Sequence, residues 1–230
     1  MSDLFSLCSA GINEQKIILF LVLLASISIH EWAHAFVADK LGDPLPGLQG
    51  RVTLDPRAHI DPLGTVLIPL VMIFLSPGFA ILGWGKPVMV SLPNPKTRTR
   101  DDLLITMAGP LSNLLIALAA TALFAVWASF APVSQNIANL YTLVVYLNCI
   151  LFVFNLIPIP PLDGSHFLKH AIRMKDETYR NLARYGFLIL IVLINLDPFQ
   201  KFLGKMIITC CGMFGIDEQA LYELIVSLQS

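Results

Sequence analysis

Charge is scarce in this chain. Asp, Glu, Lys and Arg make up 13% of its 230 residues, against about a quarter in soluble globular proteins. That is too little to cover a water-facing surface, so an ordinary soluble domain is excluded. The net charge is −1, with no basic tail and no patch of interleaved basic and aromatic residues, so nucleic acid is not an expected partner. Cysteine is poorly placed for redox or thiolate-metal chemistry. Cys8 stands alone, Cys149 lies in an apolar run, Cys210 and Cys211 are adjacent, and no CxxC occurs. All four read as small apolar fillers. Repeats of fixed period and low-complexity segments are also absent.

What fills the chain instead is apolar: 56% of residues are hydrophobic and mean hydropathy is +0.72. Leu63–Gly85, Leu103–Val133 and Leu140–Leu162 carry no charge, and each could cross a hydrocarbon core of about 30 Å as a helix. An earlier span is expected over 17–38. Its Ile17–Ile29 run resembles a signal-peptide core, but Asp3, Glu14 and Lys16 ahead of it do not make the cationic start such peptides need, so it is read as retained. Residues 39–62 are polar, with Gly42-Asp43-Pro44 and Asp61-Pro62 as breakers. Lys86–Leu92 has β-type residues among prolines and predicts a short β element near 84–92. Lys169–Arg184 is charged and amphipathic, Tyr185–Leu196 and Phe202–Ile216 are apolar, and Leu221–Leu228 suits a short interfacial helix. The expected fold is an all-α polytopic membrane protein, a bundle of about four to six membrane segments with one re-entrant or broken. It is expected as a single membrane-embedded domain over 1–230, with its core at 15–170 and C-terminal membrane or interfacial segments at 180–230.

Basic residues orient the chain. Lys40, Arg51, Arg57, Lys86, Lys96, Arg98 and Arg100 fall in 38–102, and Lys169, Arg173, Lys175, Arg180 and Arg184 in 169–184. The 132–139 turn has none. The positive-inside rule places both basic regions in the cytoplasm and 132–139 outside. Residues 39–62 and 86–102 then share a side, so 63–85 must enter the membrane and return, or fold in against the bundle.

Within the first span, His30-Glu31-Trp32-Ala33-His34 is HExxH. Residues four apart share a helix face, so both imidazoles can hold one metal ion while Glu31 acts on water as general base. Ionisable groups inside a span are costly and mark function. The competing readings are a polar cluster joining helices and a proton relay or metal pathway in a transporter, against which the missing repeat symmetry weighs. Catalytic zinc usually takes three protein ligands, so a third should come from another segment at the same depth. Asp163 is the candidate: it closes an uncharged run after three prolines that break the helix, and Gly164 permits a turn beside it. If 63–85 returns, the first span and Leu140–Leu162 run in the same direction, and His30, His34 and Asp163 meet at one level.

HEWAH at 30–34, GWGKPV at 83–88, AGPLSN at 108–113 and NLIPIPPLDG at 155–164 together resemble the site-2 protease family of intramembrane zinc metalloproteases. The chain most resembles the compact bacterial members without a PDZ domain, over roughly residues 25–170. The resemblance implies one Zn2+ per chain held by His30, His34 and Asp163, with Glu31 activating water. Asn155 corresponds to the family's NxxP asparagine, thought to assist around the scissile carbonyl or water. His59, in a motif shared with compact members, is read as bonding its own turn, with a place beside the metal as the alternative. Asn113 reads as an amide joining helices that the site could also use. His166 and His170 read as solvated at the cytoplasmic end. The expected activity is hydrolysis of a peptide bond in or near a transmembrane segment of a membrane protein, in regulated intramembrane proteolysis or clearance of signal-peptide remnants. A non-enzymatic homologue that only binds such segments is the alternative, and retention of Glu31 argues against it. Expected partners are a transmembrane protein or peptide substrate and the lipid bilayer, with homo-oligomers left open. The expected location is a bacterial inner membrane, with the active site toward the cytoplasm.

Overall fold

The computed structural model describes residues 14–75 and 83–229; Cys8 and the Ser76-Pro77-Gly78 break lie outside them. The first helix, α1 (Glu14–Lys40), has Glu14 in its first turn and Lys40 in its last, which complements the helix dipole. It stops where Gly42 takes a φ of +88° and the Asp43 N–H returns to the Ala38 carbonyl at 3.0 Å, satisfying carbonyls the helix leaves open. The polar stretch that follows ends at Asp61. Its carboxylate accepts from the N–H groups of Leu63 (3.1 Å) and Gly64 (2.7 Å), while its own N–H donates to Thr65 Oγ1 at 3.0 Å. That reciprocal cap starts a π-helical turn, Pro62–Leu67, which leads into α2 (Ile68–Leu75).

The chain comes back to where it left. The Trp84 N–H donates to the Gly64 carbonyl at 3.2 Å, and Thr65 Oγ1 donates to the Trp84 carbonyl at 2.7 Å. Both ends of 64–84 therefore lie side by side, as a segment that enters and returns requires.

The β element expected near 84–92 does not form. No strand occurs among the described residues, and 83–92 is irregular. Its main chain is fastened at Lys86 and at Ser91–Leu92 by side chains and loop carbonyls, not by a second strand. The Lys86 N–H reaches the His59 carbonyl at 2.9 Å, and its carbonyl accepts from Arg51. The N–H groups of Ser91 and Leu92 both end on Asp43 Oδ2, at 2.6 and 2.9 Å. Pro87 has no N–H to offer and Leu92 has a φ of +48°, so a ladder cannot continue through them.

Two long helices complete the centre: α3 (Arg98–Phe130) and α4 (Gln135–Asn155), with α3 packed against both α1 and α4. After α4 the prolines turn the chain, the Pro160–Pro161 bond being cis, and α5 (Gly164–Ala171) begins at once. Gly164 serves here by close approach: a Cβ on it would lie 2.2 Å from the Leu156 carbonyl oxygen. Beyond it, α6 (Asp176–Ile194) and α7 (Asp197–Gly212) bend by 88° about their junction, and α8 (Glu218–Gln229) closes the chain. Helices α1, α3 and α4 are each long and apolar enough to cross a membrane, and the bent pair supplies a fourth span if taken as one. This is the all-α polytopic bundle expected.

Two apolar clusters hold it. One joins Leu19, Leu23 and Ile27 of α1 to Leu143 and Leu147 of α4 and Leu224 of α8. The other surrounds Cys149 with Val145, Val153, Cys210, Cys211 and Leu221, so these three cysteines occupy the filler positions expected of them.

Candidate metal centre

The second half of α1 presents His30 and His34 to the start of α5, and Asp163 meets them there. His30 Nε2 and His34 Nε2 are 3.1 Å apart, and Asp163 Oδ2 lies 3.2 and 3.5 Å from them. The three ligand atoms fall within 4.8 Å of one another, the one such group among the described residues. Both histidines are buried.

The outer nitrogens decide what the inner ones can do. His34 Nδ1 is 2.7 Å from the Ile105 carbonyl, which can only accept, so Nδ1 carries the proton and the Nε2 of a neutral ring presents a lone pair. His30 reaches the same state through a longer chain. Asn148 donates Nδ2 to the Val144 carbonyl (2.8 Å), so its Oδ1 accepts from Asn113 Nδ2 (3.0 Å). Asn113 Oδ1 is then left to accept from His30 Nδ1 at 2.7 Å. Two imidazole lone pairs and a carboxylate oxygen thus face one another, and Asp163 Oδ2 is buried without a hydrogen-bond donor. Acceptors this close repel unless a proton or a metal cation lies between them, and two His nitrogens with one carboxylate oxygen is a zinc donor set. The residues present fit the metal.

Space for it depends on glycine. A Cβ on Gly109 of α3 would come within 2.3 Å of His34 Nε2 and 2.5 Å of His30 Nε2, so the AGPLSN stretch of α3 lies directly against the two histidines. A Cβ on Gly85 would come within 2.5 Å of Glu31 Cγ. The Glu31 side chain is 13% exposed, and Arg51 Nη2 stands 3.9 Å from its Oε2. All four motif residues open on a cavity of about 660 Å3 whose walls include Val88, Val90, Asn155 and Phe187.

The sequence pattern of "Peptidase family M50" matches residues 127–194. YwhC of Bacillus subtilis, which bears a zinc-metalloprotease name, is 35% identical over 181 residues, covering 76% of this chain and 78% of that protein. This chain belongs to peptidase family M50. Rip2 of Mycobacterium tuberculosis, also bearing a zinc-metalloprotease name, is 34% identical over 176 residues, 74% of this chain and 63% of that one. Zinc metalloprotease MJ0392 of Methanocaldococcus jannaschii is 26% identical over 212 residues, 92% of this chain and 46% of that one. No solved structure matches. M50 membership agrees with the site-2 protease resemblance and makes the chain a zinc metalloprotease and, with its apolar helices, an integral membrane protein.

The remaining candidates of this M50 chain divide. Asn155 lines the cavity and donates Nδ2 to the Leu151 carbonyl at 2.9 Å. Asn113 joins helices, as read from the sequence, and in doing so orients His30. His59 is not brought to the metal group: fully buried, it donates Nε2 to the Thr53 carbonyl at 2.7 Å while its own carbonyl holds Lys86. Burial pushes this imidazole below its ordinary pKa, which keeps it neutral for that role. His166 and His170 are not simply solvated, because both bind the buried carboxylate of Asp102. Asn148, Asp102, Arg51 and Asp43 stand out only in the structure.

Proposed function

We propose that the chain hydrolyses a peptide bond in or near a transmembrane segment of a membrane protein, using one zinc ion per chain held by His30, His34 and Asp163. The convergence of three acceptor atoms from α1 and the start of α5 carries this reading. Bound there, zinc supplies a Lewis acid that polarises a carbonyl and acidifies water. Glu31, one residue from His30 and facing the same cavity, takes the proton of the attacking water and passes it to the leaving amine. Asn155 stands in the wall to bond the scissile carbonyl or the water. A helix hides its carbonyls in its own hydrogen bonds, so the substrate is bound unwound. The main chain of Val88–Val90 has no hydrogen-bond partner among the described residues, and Val88 and Val90 line the cavity. This stretch holds the unwound segment by main-chain pairing without being a strand beforehand. Basic residues at both ends of the re-entrant segment favour a site toward the cytoplasm, and the bacterial relatives favour an inner membrane.

The deciding measurement is metal content by elemental mass spectrometry, wild type beside Asp163→Ala, after gentle purification with zinc supplied. About one zinc per chain is expected, falling at least tenfold in occupancy in the variant. Zinc that ignores Asp163 would remove it from the ligand set, and no zinc in either protein would end the reading. Val88→Pro and Val90→Pro are each expected to lower turnover by about tenfold or more with zinc retained, since proline cannot donate and disturbs its neighbour. Unchanged turnover in both would reject the pairing role.

A further inference from the structure

Three residues beside the metal group form an arrangement that packing does not require. Asp102, in the first turns of α3, is 3% exposed. Its carboxylate is bound by two histidines one turn apart on α5: His166 Nδ1 at 3.0 and 3.1 Å, and His170 Nε2 at 2.6 Å. A carboxylate only accepts, so each of these nitrogens carries its hydrogen. His166 is held on further sides. Its ring meets Tyr179 edge-on at 5.5 Å, and its main-chain N–H donates to the Asp163 carbonyl at 3.0 Å. The Tyr179 hydroxyl is itself tied to Ser165 Oγ at 2.8 Å. Despite these restraints the His166 side chain is a third exposed, and it lines the same cavity as Glu31 and Asp163. Its Nε2 has no partner among the described residues, and with Nδ1 committed to Asp102 the neutral ring presents that nitrogen as an acceptor.

An acceptor in this wall has a use. A transmembrane segment that unwinds loses its internal hydrogen bonds, and in a site away from bulk water each orphaned N–H is costly. Val88–Val90 serve one side of such a segment. The lining contributed from α4 to α5 includes apolar groups such as Leu151, Phe154 and Leu162, which offer a main-chain N–H no acceptor. We infer that His166 is a substrate-binding residue: Nε2 accepts a hydrogen bond from a main-chain N–H of the unwound segment, with Asp102 fixing the accepting tautomer and His170 bracing Asp102. This deepens the peptidase reading and rests on it.

The test is binding without turnover, in full-length Glu31→Gln protein in nanodiscs. The probe is a fluorescein-labelled Leu/Ala transmembrane peptide of about 24 residues with a central Asn-Gly break. Anisotropy titration is expected to give about tenfold weaker binding when His166→Phe is added, which keeps ring shape and removes both nitrogens. His166→Gln should recover binding to within about threefold, because its amide oxygen replaces the acceptor; a merely structural role would not be rescued by a flexible side chain. Zinc content stays level throughout. Asp102→Asn offers an amide hydrogen to the imidazoles, lets His166 turn its proton to Nε2, and should weaken binding by a similar factor, so it decides the matter should His166→Phe fail to fold. Binding equal to the Glu31→Gln parent in the folded variant overturns the inference alone. A parent that binds no transmembrane peptide, together with a wild type that cleaves none, overturns the peptidase reading and the inference with it.

Discussion

Glycine 109 and glycine 85 make the residue-scale case that the site is built by exclusion of side chains as much as by their placement. A methyl group at 109 would press on the Nε2 atoms of His30 and His34, whereas one at 85 would press first on the Glu31 side chain. The two substitutions therefore separate metal binding from proton transfer. Gly109→Ala is expected to lower zinc affinity by about 100-fold and abolish turnover, since displaced ligands lose the geometry the metal needs. Gly85→Ala should keep one zinc per chain and lower kcat by about 100-fold, the range over which a general base contributes. Metal analysis and peptide cleavage on the same preparations check both; zinc lost equally from both proteins would contradict the division. The spacing of HExxH made three of the four central groups legible, because helical periodicity alone puts positions 30 and 34 on one face. Asn148 and Asp102 were not legible. Each acts through a partner far along the chain, Asn113 being 35 positions from Asn148 and His166 being 64 from Asp102, and a buried amide or a carboxylate at a span's end carries no local pattern.

At the scale of elements, the segment 83–92 is held in place by a carboxylate that lies 48 residues earlier. Asp43 Oδ1 and Oδ2 accept from Ser91 Oγ and Ser91 N–H, both at 2.6 Å, and Oδ2 also from the Leu92 N–H. Burial works to raise this carboxyl, but the hydrogen bonds from Ser91, Leu45 and Leu92 outweigh it and bring its pKa below the ordinary value. The sign follows: the clamp is fully present above the unfolded aspartate value of about 4 and is lost as pH falls through the lower folded one. Protease nicking within 83–92 should therefore stay constant from neutral pH down to about 4 and rise only below it. Asp43→Asn, which keeps one acceptor and removes the charge, should raise nicking at neutral pH and cut turnover by about fivefold with zinc retained, charge-assisted bonds being roughly twice as strong as neutral ones. Unchanged nicking would mean that Arg51 and the His59 carbonyl hold the segment unaided. The β-type residues of Lys86–Leu92 and their prolines excluded a helix but pointed to a short β element that does not form; that the main-chain partners are side chains and loop carbonyls was not legible, because main-chain bonds leave no trace in side-chain pattern.

For the whole molecule, the count of crossings decides whether the metal group can assemble at all. His30 and His34 sit in the second half of α1 and Asp163 just past the end of α4, so they meet only if an even number of crossings lies between the end of α1 and the end of α4. Helix α3 supplies one crossing and its return through α4 another, which leaves none for 63–85. The hydrogen bond between Trp84 and Gly64 meets that requirement, and the positive-inside rule had already demanded it, since 39–62 and 86–102 both carry several Lys and Arg. Gross topology was thus readable from charge and hydropathy, whereas the 88° bend between α6 and α7 was not, because the Asp197-Pro198 break marks an interruption without giving its angle. Single cysteines at the exposed positions Gln49, Lys96 and Gln135, in a chain with its four native cysteines replaced, test the arrangement with a membrane-impermeant maleimide. Gln49→Cys and Lys96→Cys should label together, only after cells are opened, and Gln135→Cys in intact cells. Labelling of 49 and 96 from opposite sides would make 63–85 a true crossing, put His34 and Asp163 at opposite faces of the bilayer, and leave no membrane position in which the three could share an ion. Labelling of 49 and 96 together from outside would keep the metal group intact and reverse only the face on which it works.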